Sequence, residues 1–378
     1  MEHSPRASRL GAGAALALLT LAAAGPTNAP RAAATPMRGA AAVSRSAAGA
    51  RATAARSRAA LPALRVPYSM FTLGNGLKVI VHEDHALPII AVNTWFHVGS
   101  GDEKPGRTGF AHLFEHIMFM GSQHVPTGEF DKLLEAAGAD NNGSTTQDRT
   151  NYYEDGPSNA LPLMLWLDSD RMGHLLPEMT AEKVDLQRGV VQNERRQSYE
   201  NQPYGLAMEN ILKRLFPPTH PYHWPVIGSM ADLSAASLED VRGFFRTWYT
   251  PNNAVIAIAG DIDSSAARAL AERDFGAIPR GPAVTRPAPP PFALDSTVYG
   301  VLEDRVQVPR VYVAWHAPKA YAPDDAALDA AAEILGGGKS SRLYRRLVYE
   351  LQIATNANAY QNGMRLDGMF GIVATARP

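Results

Sequence analysis

Short, mostly apolar runs over Met70–Leu73 and Leu77–His82 flank Gly74-Asn75-Gly76, whose glycines can supply positive φ. That pattern predicts a strand, a tight turn and a second strand. Ile89–Val98 reads as a third, more apolar strand. A 3.6-residue period starts after Thr108, another covers Phe130–Ala137, and polar strand-like text with paired tyrosines runs from Asn141 to Glu154. Helices are then expected over Leu161–Met172, Glu182–Glu200, Leu206–Leu215 and Ser237–Trp248, the last opened by a Ser237/Asp240 capping box. Ala254–Ala259 reads as a buried strand and Ser264–Phe275 as a short helix.

Six prolines between Pro279 and Pro291 break both helix and ladder, so a linker belongs there. Beyond it, strands are expected near Thr297–Leu302, Arg310–Trp315 and Met369–Thr375, and helices over Asp325–Leu335 and Ser340–Glu350. A strand, a loop and an apolar helix ending in glycine thus occur twice, as Ala91–Val98 with Phe110–Gly121 and as Val311–His316 with Ala326–Gly338. The second helix carries no histidine, so the halves cannot share one chemistry.

Composition changes this picture in two places. None of the 378 residues is Cys, which excludes disulfides, thiolate metal sites and a cysteine nucleophile and confines any transition metal to His, Asp and Glu. The net charge of −1 gives no reason to expect nucleic-acid binding. That charge is also a cancellation: residues 1–63 hold eight Arg against Glu2, whereas residues 64–378 carry a net −8.

Arg6 and Arg9, the apolar run Leu10–Ala24 and small residues after it read as an export signal over residues 1–24, with Ala29 as a second candidate cleavage point. An Arg-rich organellar presequence is the alternative address. The apolar run is short for a bilayer span. Residues 25–66, rich in Ala, Arg and Ser, offer little to bury and are expected to be a disordered linker.

The chemistry concentrates in Gly109–Gly121. Phe110, Leu113, Phe114 and Ile117 form one helical stripe, and His112, Glu115, His116 and Phe119 form a second at the same spacing. The helix is otherwise apolar, so burial nearly all round is expected, and a carboxylate there must meet a cation or face a wet cavity. Imidazoles at i and i+4 can grip one metal ion, with Glu115 close enough to reach a water beside it. A catalytic zinc takes a third protein ligand, here a carboxylate from another element. Spacing alone ranks Glu194 no higher than Glu182 or Glu200.

His112-Leu113-Phe114-Glu115-His116 is the inverted zinc motif, and the chain resembles the pitrilysin family of insulin-degrading enzymes, mitochondrial processing peptidases and bacterial zinc proteases. Thr108–Gly121, Asn142–Thr146, Thr150–Tyr153, Asn193–Arg196 and Gly336–Tyr344 carry that resemblance. It implies an α+β fold of two similar α/β lobes, each a mostly antiparallel sheet packed against helices. The first is a zinc-binding peptidase domain over 67–278; after a linker over 279–292, the second, inactive and incomplete at its C-terminal end, occupies 293–378.

The resemblance further implies one Zn2+ per chain on His112, His116 and Glu194, with Glu115 as general base. It also implies an edge strand at Asn142, Gly143 and Ser144 that holds extended peptide. Seven residues before the distal ligand, where the family often has a supporting Glu, stands Gln187. The implied function is an exported zinc metalloendopeptidase acting on peptides or unfolded segments, closed into a clam-shell by a partner subunit or a second copy. The alternative is a non-catalytic peptide-binding or assembly subunit of such a complex.

Overall fold

The computed structural model describes residues 65–286, 288–289 and 291–378. The export signal and nearly all of the linker expected before Pro67 lie outside these residues. No helix among the described residues is long and apolar enough to cross a membrane.

Six strands form the first sheet: β1 Ser69–Thr72, β2 Lys78–Glu83, β3 Ile89–Phe96, β4 Asp140–Thr145, β5 Thr150–Pro157 and β6 Ala254–Gly260. Their order is β1-β2-β6-β3-β5-β4, antiparallel throughout except for the β2/β6 pair. Alternation in β3 buries Ile90, Val92, Thr94 and Phe96 and leaves Ile89, Ala91 and Trp95 exposed, as a sheet with one packed face requires.

Eight helices accompany this sheet. They are α1 Phe110–Ile117, α2 Glu129–Ala136, α3 Leu161–His174, α4 Ala181–Arg195, α5 Ala207–Leu215, α6 Met230–Ala235, α7 Leu238–Trp248 and α8 Ser264–Phe275. Phe110, Leu113, Phe114 and Ile117 of α1 join one core with the inner faces of β2, β3 and β6 and with Phe245 and Tyr249. Ser237 opens α7 as expected, accepting the Asp240 amide while Asp240 accepts its own.

Beneath this layer Arg171 is buried on α3 between Glu154 and Asp168, and its guanidinium lies over the rings of Phe119, Phe130 and Tyr152. One cation balances one of these two carboxylates, and burial together with the charge of Asp168 pushes the Glu154 pKa well up, which favours its protonated form.

The second sheet holds β7 Arg310–Ala317, β8 Ala354–Gly363 and β9 Gly368–Ala376 in the antiparallel order β7-β9-β8. Helix α9, Asp325–Gly336, lies across β8, and a single turn, α10 Arg342–Tyr344, continues as a π-helix over Arg345–Glu350. The strand expected at Thr297–Leu302 does not form. Its apolar residues suited a strand, but no neighbouring strand accepts its ladder.

The lobes meet at a small core in which Leu212, Leu215, Phe216 and Tyr222 pack with Met364 and Met369. The turn between β8 and β9 docks on the turn between β4 and β5. The amide of Arg365 donates to Asp148 (2.8 Å), the Leu366 amide to the Tyr222 hydroxyl (3.0 Å), and that hydroxyl to Asp148 (2.6 Å).

Candidate metal centre

Helix α1 is buried along its apolar stripe, whereas His112, Glu115, His116 and Phe119 are only partly buried. The expectation of burial nearly all round is therefore corrected: the polar stripe keeps some access to solvent, because three ionisable groups on one face need water or a counter-ion.

Glu103 fixes where this helix begins. Its carboxylate accepts the amides of Gly109 (3.0 Å) and Ala111 (2.8 Å) and the indole N–H of Trp224 (3.2 Å). A carboxylate at a helix N-terminus satisfies orphan donors and meets the positive end of the dipole. Gly109 itself has φ +88°, and a Cβ there would lie 2.7 Å from the Ile227 carbonyl, so only glycine lets the chain after Pro225 pass so close.

His112 and His116 project from consecutive turns with ring centroids 4.8 Å apart and nearly perpendicular planes. From α4, Glu194 Oε2 lies 3.6 Å from His112 Nε2 and 3.4 Å from His116 Nε2. Donors of one tetrahedral zinc at 2.0–2.1 Å would stand about 3.3 Å from one another, so this donor set fits the ion. Burial lowers the His112 pKa to about 4, which leaves its imidazole neutral and able to ligate. Burial opposes ionisation of Glu194, but hydrogen bonding to His116 and electrostatic attraction to the two imidazoles more than offset it, and its pKa falls below the ordinary value.

Of the other carboxylates considered for the third position, Glu200 bonds to Arg195 and Glu182 lies exposed in the first turn of α4. Arg195 is buried, bonded also to Glu209 and to the Gly228 carbonyl, and so anchors the end of α4 beside Glu194. Gln187 reaches the sulfur of Met120 (2.6 Å).

Strand β4 runs along the open side of the helix as the edge of the sheet, paired only with β5. Thr145 and Gly143 face Glu115, and Thr145 Oγ1 donates to Glu115 Oε2 (2.5 Å). A Cβ at Gly143 would stand 3.0 Å from Glu115 Cγ. Asn142 is exposed, its Oδ1 accepting the Gly143 amide (2.8 Å), and Ser144 is bound through its hydroxyl and carbonyl by Arg149. Burial raises the pKa of Glu115, a rise opposed by the Thr145 hydroxyl and the charge of His116.

Sequence reasoning missed Thr145, Arg149 and Glu103. The period of two could have found Thr145, since it shares a strand face with Gly143. Nothing local marks Glu103, whose role depends on a loop returning to the helix.

An inverted histidine pair and a distal carboxylate, on helices packed against a mostly antiparallel sheet, define the class of pitrilysin-like α+β proteins. Residues 78–220 match the model described as insulinase (peptidase family M16), and residues 235–378 match that of the peptidase M16 inactive domain. The chain is 30% identical over 313 residues to the zinc protease PqqE of Helicobacter pylori, covering 81% of this chain and 69% of that protein. A solved protease structure from Helicobacter pylori superposes with a TM-score of 0.79 at 29% identity, covering 83% of this chain and 76% of that one. The periplasmic protease PqqL of Escherichia coli shares the fold at a TM-score of 0.69 and 22% identity, over 83% of this chain and 36% of its own. The chain belongs to the M16 peptidase family.

Proposed function

We propose that the chain is a zinc metalloendopeptidase that cuts peptides or unfolded segments. The observation that carries this reading is the meeting of His112 Nε2, His116 Nε2 and Glu194 Oε2 beside Glu115, under a sheet edge open to one more strand. These three donors would hold one zinc ion per chain. When bound, zinc polarises a carbonyl and acidifies water.

Glu115 takes the proton of the attacking water on its carboxylate. As the peptide C–N bond breaks, it passes that proton to the leaving nitrogen. Its raised pKa suits both halves of this exchange. Thr145 fixes the carboxylate while it does so. Asn142, Gly143 and Ser144 would align the substrate by strand addition, which reads backbone more than side chains and favours extended segments.

The second lobe has no histidine on α9 and matches the family's inactive domain, so it supplies no second centre. A second copy or partner subunit would close over the open edge, with peptide as substrate. Export to the periplasm is the address supported by the basic, then apolar start of the chain, and PqqL of Escherichia coli is described as a periplasmic protease.

The test is zinc content and cleavage of an unstructured peptide, for the wild type and Glu115→Gln. One zinc should survive dialysis in both, and turnover in the variant should fall by about 10²–10⁴. If the wild type holds zinc yet neither it nor a mixture with a closing partner cleaves any such peptide, the peptidase reading fails and a binding subunit stands instead.

A further inference from the structure

A second cluster of metal-ligand type lies outside this centre. His124, in the loop after the zinc helix, meets Asp170 and His174, and one donor atom from each falls within 4.8 Å of the others. Asp170 and His174 stand at i and i+4 on α3, the spacing at which two side chains share a helical face. The rings of His124 and His174 are 5.0 Å apart at 79°, against 4.8 Å and 85° for His112 and His116. Both clusters therefore combine two edge-on imidazoles with one carboxylate, two donors from one helix and the third from a separate element.

The surroundings of Asp170 suit a ligand. Its side chain is only 3% exposed, and Oδ2 accepts from the Ser122 hydroxyl and the His124 amide, which leaves Oδ1 facing the His124 ring at 2.5 Å. Ligating carboxylates are held in this way, one oxygen fixed by hydrogen bonds and the other free for the ion. A simple His–Asp pair accounts for His124 but not for His174, whose ring stands against that of His124 across the same carboxylate. Widening the His124–Asp170 contact by roughly 0.8 Å, with the His174 donor, which lies within 4.8 Å of the other two, brought to the same spacing, gives the donor separation of one tetrahedral ion. The half-exposed His124 ring can swing by that much.

We propose that His124, Asp170 and His174 form a second site for a divalent transition-metal ion of the imidazole-binding class, distinct from the centre on α1. The bound ion pins the Gly121–Val125 loop to the end of α3, a junction now closed by the Gln123 amide on the His174 carbonyl (3.1 Å). With both rings reaching solvent, the site fills from added metal and empties on dialysis.

The probe is Zn2+, titrated calorimetrically into the dialysed full-length chain, with metal content measured in parallel. Wild type should take up one further equivalent beyond the zinc it retains. His124→Ala/His174→Ala should retain that zinc and take up none, and His112→Ala/His116→Ala should lose the retained zinc and still bind one equivalent. Because His124 and His174 are exposed, their replacement leaves the core untouched, and circular dichroism verifies it. The proposal is overturned if wild type takes up no further equivalent, or if the His124→Ala/His174→Ala chain takes up as much as wild type. Should His112→Ala/His116→Ala not fold, the comparison of wild type with the other double variant still decides.

Discussion

Replacing Gly143 by Ala tests how closely the edge strand is fitted to the Glu115 carboxylate, the proposed general base. The added Cβ would lie 3.0 Å from Glu115 Cγ and 3.4 Å from both Glu115 Oε1 and Phe119 Cε2. Carbon atoms settle at about 3.5–4.0 Å, so the Glu115 side chain must yield by roughly half an ångström. Gly143 has no left-handed backbone, so alanine is conformationally acceptable and the perturbation is confined to this contact. The clash falls on side chains that are only partly buried, and the stability cost should lie near the lower end of overpacking, about 1 kcal/mol.

Catalysis is less forgiving: a 1 Å misplacement can cost about 10²-fold, so half of it predicts roughly a tenfold fall in kcat. The assay is hydrolysis of a fluorogenic peptide, with zinc content and thermal unfolding measured on the same preparation. Gly189→Ala on α4 is the control, because nothing lies within 4 Å of its added carbon. It should gain about 0.5–1 kcal/mol of helix stability and leave turnover unchanged. A Gly143→Ala chain with normal zinc and wild-type kcat would refute the fit.

Three further outcomes follow from the packing. Glu103→Ala removes the acceptor of two backbone amides and of Trp224, and should cost about 2 kcal/mol in urea unfolding and weaken zinc retention as the first turn of α1, with His112, frays. Arg171→Met strands Glu154 and Asp168 without their cation and should cost about 3–5 kcal/mol by the same measurement. Burial lowers the pKa of His220, whose Nδ1 must stay unprotonated to accept the Tyr222 amide. The unfolded chain then takes up the proton first, so stability is full above the ordinary histidine pKa and falls as pH drops through about 6.5; the urea midpoint should decline from pH 7.5 to 5.5, and less so in His220→Phe.

The helix carrying His112, Glu115 and His116 was legible because its two stripes differ so sharply in chemistry. Glu194 was not separable from Glu182 or Glu200 by spacing, since the choice depends on which face of α4 meets α1, a tertiary fact. Strand β8 escaped notice because Asn356, Asn358, Gln361 and Asn362 give it no apolar alternation, and it is held by pairing with β9. The reverse error occurred at Thr297–Leu302, where Val298, Tyr299, Val301 and Leu302 look like a strand but meet no ladder. Local pattern reports which residues could pair and is silent on whether an edge is there to receive them.

The docked turn of the second lobe ties two motions together. Asp148 is gripped by the Arg365 amide and the Tyr222 hydroxyl, and it lies three residues from Thr145, which steadies Glu115. A rigid swing of the second lobe must either break those bonds, at roughly 1.5–3 kcal/mol for each one made to a charged group, or drag the Thr146–Arg149 turn along. The second lobe thus bears, through this one turn, on the strand whose Thr145 holds the Glu115 carboxylate, so a displacement of the lobe and the aim of Glu115 are mechanically linked.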